Sequence, residues 1–315
     1  MAGPAHPIRG WQVMASEQSV ANPPAIAPPR PGVWTRRGRS ALRTARRQPL
    51  GVLGLLLVIV FILMAAVPNF IAPYPPNKIG VGLRLEDPSF SHLMGTDSIG
   101  RDVFSRIVYG ARISVLIGFG AVAVGTAIGT VIGLLTGFFG GWTDTLIQRL
   151  IDVMMTVPGL ILALVIITIW GQGVSQLILT IGVLIMPGTA RIVRASVLSE
   201  KNNQYVEAAH VLGASNTRIM FRHLLPNVSA SIIVIMSVMV GVAILVEAAL
   251  SFLGLGIRPP TASWGQMLSI DGRTYMLQQP WLAIWPGLAI SIIVLSLNLL
   301  GDSLRDITDP KLRMR

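Results

Sequence analysis

Between two long apolar stretches lies the polar segment YVEAAHVLGASNTRIMFRHLLPN, at residues 205–227. It carries one glutamate, two arginines and two histidines, with Gly213 in its middle and Pro226 near its end. A glycine at such a position favours a break between two short helices, and Ser215 can cap the second one. The segment therefore predicts a helical hairpin that Pro226 closes before the next apolar stretch.

The predicted hairpin has an apolar side and a charged side. Four residues follow the spacing of one helix face, namely Thr217, Met220, Phe221 and Leu224. Arg218 and Arg222 lie one turn apart on the other side. Such a hairpin can lie passively at a lipid interface, or it can dock into a groove on a soluble partner. These features alone leave both alternatives open.

The composition indicates whether this chain lies in water or in lipid. Of its 315 residues, 52% are hydrophobic and only 12% are charged, whereas soluble domains have about a quarter charged. Several apolar windows reach the ~20 residues that a transmembrane helix needs. The chain is therefore expected to be an all-α membrane protein. Its lack of cysteine excludes disulfides, thiolate metal sites and cysteine nucleophiles.

Six membrane spans are predicted, at residues 50–71, 113–139, 146–170, 174–192, 228–250 and 282–300. Residues 1–49 form a Pro/Arg-rich tail that we expect to be disordered, and 50–72 an uncleaved anchor. Residues 73–112 are an extracytoplasmic loop with an amphipathic helix. Residues 113–303 form a five-helix core that includes the loop 200–227, and 304–315 a second tail. The Pro-Gly pairs at 158–159 and 187–188 predict kinks.

Basic residues predict the orientation. Placing both termini in the cytoplasm puts 18 lysines and arginines inside and seven outside. The reverse topology would contradict the positive-inside rule. The segment 205–227 is therefore expected to be cytoplasmic.

Small residues recur every fourth position in the second span: Ala121, Gly125, Gly129, Gly133, Gly137 and Gly141. This spacing lets another helix approach closely. Tight packing is one interpretation, and a helix that lines a pathway is the other.

The sequence shows no site that would supply energy from ATP or from an ion gradient. None of its three lysines follows a glycine, so it has no P-loop to bind ATP. An ion relay is not indicated either. Glu247 lies near the outer end of its span, where we expect water to reach it, and Asp152 near the inner end of another, beside Arg149. The four histidines are too scattered for a metal site. We expect no catalytic residue, metal or cofactor in this chain.

The segment EAAHVLGASNTRIMFRHLLP resembles the EAA loop of ABC importer permeases. The matching residues are Glu207, Ala208, Ala209, Gly213, Ile219, Leu225 and Pro226. The resemblance implies that the loop, with Tyr205, Ala214, Ser215 and Arg218, seats on cytoplasmic ATPase subunits and couples their closure to the spans. Residues 95–114 and 250–268 resemble the second permease subunit of dipeptide, oligopeptide and nickel importers.

This resemblance implies a type I ABC importer permease fold in the plasma membrane of a bacterium. It implies a transport subunit, not an enzyme, that carries di- or oligopeptides by alternating access, or else nickel or another small solute. The implied partners are a homologous permease, two ATPase subunits (or one fused ATPase) that hold ATP and Mg²⁺, and an extracytoplasmic solute-binding protein. Contact with lipid is expected, and contact with nucleic acid is not.

The stretch before the second span contains further candidates. An apolar stripe, formed by Phe104, Ile107, Val108 and Ala111, predicts an interfacial helix. Asp102 and Arg106 are expected to pair one turn apart. Together with Glu247 they are candidates for a gate or a pathway. The alternatives are an elbow that orients the span and, for Glu247, a hydrogen-bonded side chain.

Two other classes of protein remain as alternatives. A secondary transporter or channel would move solute without any ATPase partner. A membrane anchor would use the basic cluster at residues 36–47 to bind RNA or lipid, although such juxtamembrane charge usually reflects orientation.

Overall fold

The computed structural model describes residues 48–308 together with Gly3. Within residues 48–308 the chain consists of helices and loops without a β-strand. The predicted disordered tail, apart from Gln48 and Pro49, lies outside the described residues, and so does most of the C-terminal tail.

The helices are numbered in chain order. They are α1 (Pro49–Ala66), α2 (Pro68–Ile71), α3 (Val103–Phe139), α4 (Gly141–Thr156), α5 (Gly159–Trp170), α6 (Val174–Glu200), α7 (Gln204–Val211), α8 (Asn216–Phe252), α9 (Trp264–Met267), α10 (Arg273–Tyr275) and α11 (Trp281–Thr308). Two segments have wider, π-type turns: Ile219–Leu224 inside α8, and Leu268–Gly272 between α9 and α10.

Five helices are long and apolar enough to cross a membrane: α1, α3, α6, α8 and α11. The predicted third span is instead two helices, α4 and α5, bent by 95° at the break between them. The predicted kink at Pro158 is therefore a full break. Pro187, in contrast, lies inside α6, which continues through it without a break. The described residues thus contain five spans, or six if the bent pair is one.

The predicted interfacial helix and the second span are a single helix of 37 residues. The predicted boundary between them, at residues 112 and 113, is absent because residues 103–139 contain no proline that would end a helix. Asp102 caps the start of α3, since its side chain accepts a hydrogen bond from the amide of Ser105. No proline follows until α3 has ended.

The glycines of α3 pack directly against α6, as the spacing of small residues predicted. A Cβ added to Gly125 would lie 2.5 Å from the carbonyl oxygen of Gly182, and one added to Gly133 would lie 2.6 Å from that of Ala190. Only glycine allows backbones to approach this closely. Gly141 does not belong to this row, because it begins α4 at a φ of +58° and no atom lies within 4 Å of its Cβ position.

Helices α3 and α6 run parallel. The contacts advance together along both, from Gly125 against Ile185 to Gly137 against Val197. Helix α8 packs against both α3 and α6 and also contacts α11, and α11 in turn packs against α1. The last contact is also close, since a Cβ on Gly54 would lie 2.7 Å from the carbonyl oxygen of Ser296.

We predict that Gly133→Ala destabilises the helix pair. The new methyl group would lie 2.6 Å from the Ala190 oxygen and 2.7 Å from the Val193 Cβ, so α3 and α6 must separate. Overpacking of this kind costs about 1–3 kcal/mol, and a lower thermal unfolding midpoint of the purified chain in detergent would report it.

Gly188→Ala on α6 is the matched control. No atom lies within 4 Å of its Cβ position, and alanine favours helix over glycine by about 1 kcal/mol. Its midpoint should stay the same or rise. Equal midpoints for the two variants would contradict the packing that we describe.

Candidate functional site

The segment 205–227 folds as predicted into two helical limbs joined at Gly213. The first limb is α7 and the second is the first turns of α8; together we call them the hairpin, residues 204–225. Gly213 has a φ of +76° and donates to the carbonyl of His210 at 2.9 Å, while Ala214 donates to Ala209 at 3.0 Å. This pair of bonds is the Schellman ending of a helix. Ser215 caps the second limb by accepting from the amide of Arg218.

The second limb does not end at Pro226, as the sequence suggested, but continues into the span. The π-type segment Ile219–Leu224 precedes the proline, so Pro226 falls in the first turn of the following α-helical segment. A residue there needs no hydrogen bond from its own nitrogen, and proline is tolerated. The hairpin is therefore continuous with a membrane helix.

The buried face of the second limb also differs from the prediction. Met220 and Leu224 are buried as expected, but Thr217 and Phe221 are exposed and Ile219 is fully buried. The cause is the π-type segment, whose hydrogen bonds join residues five apart rather than four. Wider turns bring Ile219 and Leu224, which are five apart, onto one face.

The hairpin is anchored by an apolar cluster, which we call the hairpin cluster. Val206 and Ala209 of α7 join Ile219 and Leu224 of α8 in it. They pack on the ends of the two helices that the glycine row holds together, through Leu134 of α3 and through Val193 and Val197 of α6. A displacement of the hairpin would therefore be transmitted to α3 and α6 through direct contacts.

Polar contacts reinforce this anchorage. Glu200, the last residue of α6, accepts hydrogen bonds from the Asn203 amide group at 2.7 Å and from the Tyr205 hydroxyl at 2.9 Å. Partial burial and the Glu200 carboxylate raise the pKa of Tyr205, which keeps its hydroxyl a donor. Lys201 donates to the carbonyl of Gly137 at 3.0 Å and so caps the end of α3.

The outward face of the hairpin is open. A groove of about 580 Å³ lies between the limbs, lined by Tyr205, Ala208, Ala209, Leu212, Gly213, Ala214, Arg218, Arg222 and His223. It brings together six of the predicted coupling residues. Glu207 is exposed beside them, Ser215 serves as the cap, and Ile219 lies beneath the surface. Leu225 and Pro226 lie farther along α8 and do not line the groove.

Sequence reasoning missed the most exposed apolar residues of the hairpin. Val211 and Leu212 at its tip are 82% and 86% exposed. Their place directly before Gly213, where the two limbs of the predicted hairpin meet, could have signalled this. Arg222 and His223 were also missed as parts of the groove.

A second group of functional candidates lies at the start of α3. Asp102 accepts from the Ser105 amide at 2.8 Å and contacts His92 at 3.0 Å. The predicted pair of Asp102 with Arg106 is wrong, because helix capping turns the Asp102 carboxylate toward these partners. Arg106 instead lies 3.8 Å from the carboxylate of Asp97 and donates to the carbonyl of Pro76 at 3.1 Å.

This polar group connects two loops. Asp271, from the segment after α9, lies 3.7 Å from Arg101 and accepts a hydrogen bond from Ser98 at 2.5 Å. The Trp264 indole adds a bond to the carbonyl of Ile107 at 3.0 Å. The loop before α3 is thus fixed to the loop before α11. His92, Asp97, Arg101 and Asp271 were not singled out from the sequence. Asp97 and Arg101 fall within the segment 95–114, and His92 and Asp271 lie three residues outside the segments 95–114 and 250–268.

Glu247 lies apart from that group and is fully buried, so the expectation that water reaches it is wrong. Its carboxylate accepts from Ser251 at 2.8 Å and from Ser114 of α3 at 3.3 Å. Helix α3 packs over this part of α8 and shields the Glu247 carboxylate from water. Ser114 follows Arg106 by eight residues, about 12 Å along a helix. The structure therefore does not combine Glu247, Asp102 and Arg106 into one site.

Asp152, which lies beside Arg149 in the sequence, has a different partner in the structure. It pairs with Arg191 of α6 at 2.6 Å, not with Arg149. Neighbouring Asp144 receives two bonds of 2.6 Å from Arg194. Among residues 48–308, no three acidic or histidine side chains are grouped so that they could hold a metal ion.

Comparisons with known proteins agree on one family. The family model described as binding-protein-dependent transport system inner membrane component matches residues 129–314. The model of the N-terminal TM domain of oligopeptide transport permease C matches residues 37–88. Over 272 residues, the chain is 44% identical to the glutathione transport system permease protein GsiD of Shigella flexneri serotype 5b (strain 8401), covering 86% of this chain and 89% of the relative. The protein of the same name from Escherichia coli O157:H7 is 42% identical over the same coverage.

Proposed function

We propose that this chain, which belongs to the family of binding-protein-dependent transport system inner membrane components, couples import of a peptide-like solute to ATP hydrolysed by partner chains. It is a multi-pass permease subunit of an ABC importer in the bacterial inner membrane and is not itself an enzyme. A permease of this kind works with ATPase and solute-binding partners. We also propose which surface contacts the ATPase, which chains make up the transporter, how this chain is oriented in the membrane and which solute it carries.

The observation that carries the proposal is the hairpin, which is exposed on one side and fixed to the spans on the other. Val211 and Leu212 project from its tip, and Arg218 and Arg222 line its groove. Apolar side chains with flanking charge are typical of the surface by which a helix seats in a groove of a partner. The ATPase is that partner in our proposal, with an apolar pocket for Leu212 and acidic residues near the arginines.

Coupling then follows from the anchorage. When the ATPase subunits close, the hairpin moves with the surface on which it is seated. The hairpin cluster transmits this motion to Leu134 and Val197, and the glycine row makes α3 and α6 move as one body. Because α8 is continuous with the second limb, it moves too. The result is a rocking of the spans between inward-open and outward-open states.

The proposed assembly places all nucleotide chemistry outside this chain. The sequence has no P-loop lysine, so ATP and Mg²⁺ would be held by two ATPase subunits or by one fused ATPase. A second, homologous permease would complete the pathway. An extracytoplasmic solute-binding protein would deliver the solute, with no cofactor bound by this chain.

The proposed solute is a small peptide. The relatives at 42–44% identity are named for glutathione transport, and glutathione is a modified tripeptide. Spans with few charged groups suit a pathway that releases its cargo rather than binding it tightly. Nickel or another small solute is the alternative, and the uptake experiment below includes it.

We also propose six spans with both termini in the cytoplasm. Because α3 and α6 run parallel, the chain between them must return to the opposite side of the membrane. Helices α4 and α5, of 16 and 12 residues, would be about 24 and 18 Å long. At a bend of 95° they cover about 30 Å together, the thickness of the hydrocarbon core. The bias of basic residues supports a cytoplasmic hairpin.

Leu212→Ser tests the coupling surface. Loss of an apolar anchor at the centre of an interface costs about 2 kcal/mol or more, so we expect solute-stimulated ATPase activity and uptake to fall at least about tenfold while membrane insertion is unchanged. Uptake is measured in proteoliposomes with glutathione, labelled di- and tripeptides, and nickel. Leu277→Ser is the matched control, because Leu277 is 96% exposed but lies outside the hairpin. Equal loss in both variants would refute the assignment.

Single cysteines test the orientation, since the chain has none of its own. With the hairpin inside, Leu277→Cys should react with a membrane-impermeant maleimide added to intact cells. Leu212→Cys should react only after the membrane is opened. The opposite pattern would reverse the topology.

A further inference from the structure

Helix α4 is held to the protein by one face only. It begins at Gly141, which like Gly140 has a positive φ, and ends at the break before Pro158. Asp144 and Asp152 tie it to Arg194 and Arg191 of α6. The face with these carboxylates is thereby turned toward the protein.

The opposite face is an exposed apolar stripe with a cation in its middle. Trp142 is 90% exposed, and Leu146 and Val153 are each 65% exposed. At about 100° per residue, these side chains and that of Arg149 lie within about 60° of one another around the helix. Arg149 is exposed and has no ion-pair partner among residues 48–308.

The ion pairs show how α4 lies. Asp144 and Asp152 are eight residues apart, about 12 Å along α4, but their partners are three residues apart, about 4.5 Å along α6. Helix α4 therefore crosses α6 obliquely, near the end of α6 that bears the hairpin. Because this end of α6 lies at the membrane surface in the proposed topology, the start of α4, with Trp142 and Leu146, lies at the level of the headgroups.

Three residues of the stripe, Trp142, Leu146 and Arg149, line an open groove together with Thr143, Thr145 and Ile147. An unpaired arginine on an apolar face is costly next to lipid unless an anion pairs with it. A guanidinium pairs well with a phosphate, and tryptophan prefers the level of lipid headgroups. Both preferences are met if a lipid headgroup lies in this groove.

We infer that this groove binds an anionic phospholipid, with its phosphate on Arg149 and its acyl chains along Leu146 and Val153. Charge complementarity favours lipid over a protein partner. Lys201, Arg218 and Arg222 lie at the same end of the molecule. Arg191 and Arg194 are already neutralised by Asp152 and Asp144, so Arg149 is the cation of α4 that is left to pair with an anionic headgroup. The inference rests on the membrane location and the proposed topology of the chain and does not depend on which solute is carried.

Quenching of tryptophan fluorescence by brominated lipids tests the site in the assembled transporter. The difference between the unmodified protein and Trp142→Phe isolates the signal of Trp142. We expect brominated phosphatidylglycerol to quench this signal more than brominated phosphatidylcholine. Arg149→Gln should reduce the preference about fivefold, the effect of one basic residue at an anionic surface. Arg273→Gln, which removes an exposed arginine elsewhere, should leave it unchanged.

Three results would overturn the inference. Equal quenching by the two lipids would mean that the groove does not select an anionic headgroup. Quenching of Trp142 in the chain alone but not in the assembled transporter would mean that a protein partner covers the groove. Loss of the preference on addition of inorganic phosphate would point to a soluble anion instead of a lipid.

Discussion

Direct backbone contact between α3 and α6 is the constraint on which the rest of the structure depends. In lipid, apolar side chains gain little by meeting each other, so helices associate through close van der Waals contact. Gly125, Gly129, Gly133 and Gly137 provide it without a side chain between the helices. Because the pair is parallel, the chain between them must cross back, and in our proposal the broken helix α4–α5 is the element that does so.

The close packing of α3 and α6 also gives the hairpin a firm support. Its buried residues rest on Leu134, Val193 and Val197, which lie at the end of the glycine row. Lys201 adds a cap on α3, and Glu200 fixes the start of α7. A hairpin on a loosely packed pair of helices would absorb a push locally. On this pair, in our proposal, a displacement of the hairpin moves both helices, while its outer face carries the exposed tip and the basic groove.

Much of this could be predicted from the sequence where the signal is local. The glycine row, the helix break at Gly213 and the Ser215 cap all depend on residues within one or two helical turns. The sequence could not indicate the π-type segment, which shifts Phe221 to the surface and lets the helix pass Pro226. A π-type turn is stabilised by tertiary packing, here that of Ile219 and Leu224, and no short pattern specifies it.

Predictions about charged residues failed for a related reason. Asp102 was expected to pair with Arg106 one turn away, but Arg106 lies 3.8 Å from Asp97 instead. Asp152, beside Arg149 in the sequence, pairs with Arg191 of another helix. Water was expected to reach Glu247 because only its position near the end of the span was considered. In the structure, Ser114 of α3 donates a hydrogen bond to its carboxylate. Six of the candidate coupling residues line one groove, and their role in coupling stays a prediction.

Cross-linking from the hairpin tip tests the central claim most directly. A photoactivatable cross-linker attached to Leu212→Cys in the assembled transporter should yield an adduct with the ATPase subunit, and one attached to Leu277→Cys should yield none. Absence of the ATPase adduct from position 212, or equal yield from both positions, would contradict the claim that the hairpin is the surface through which ATP hydrolysis moves the spans.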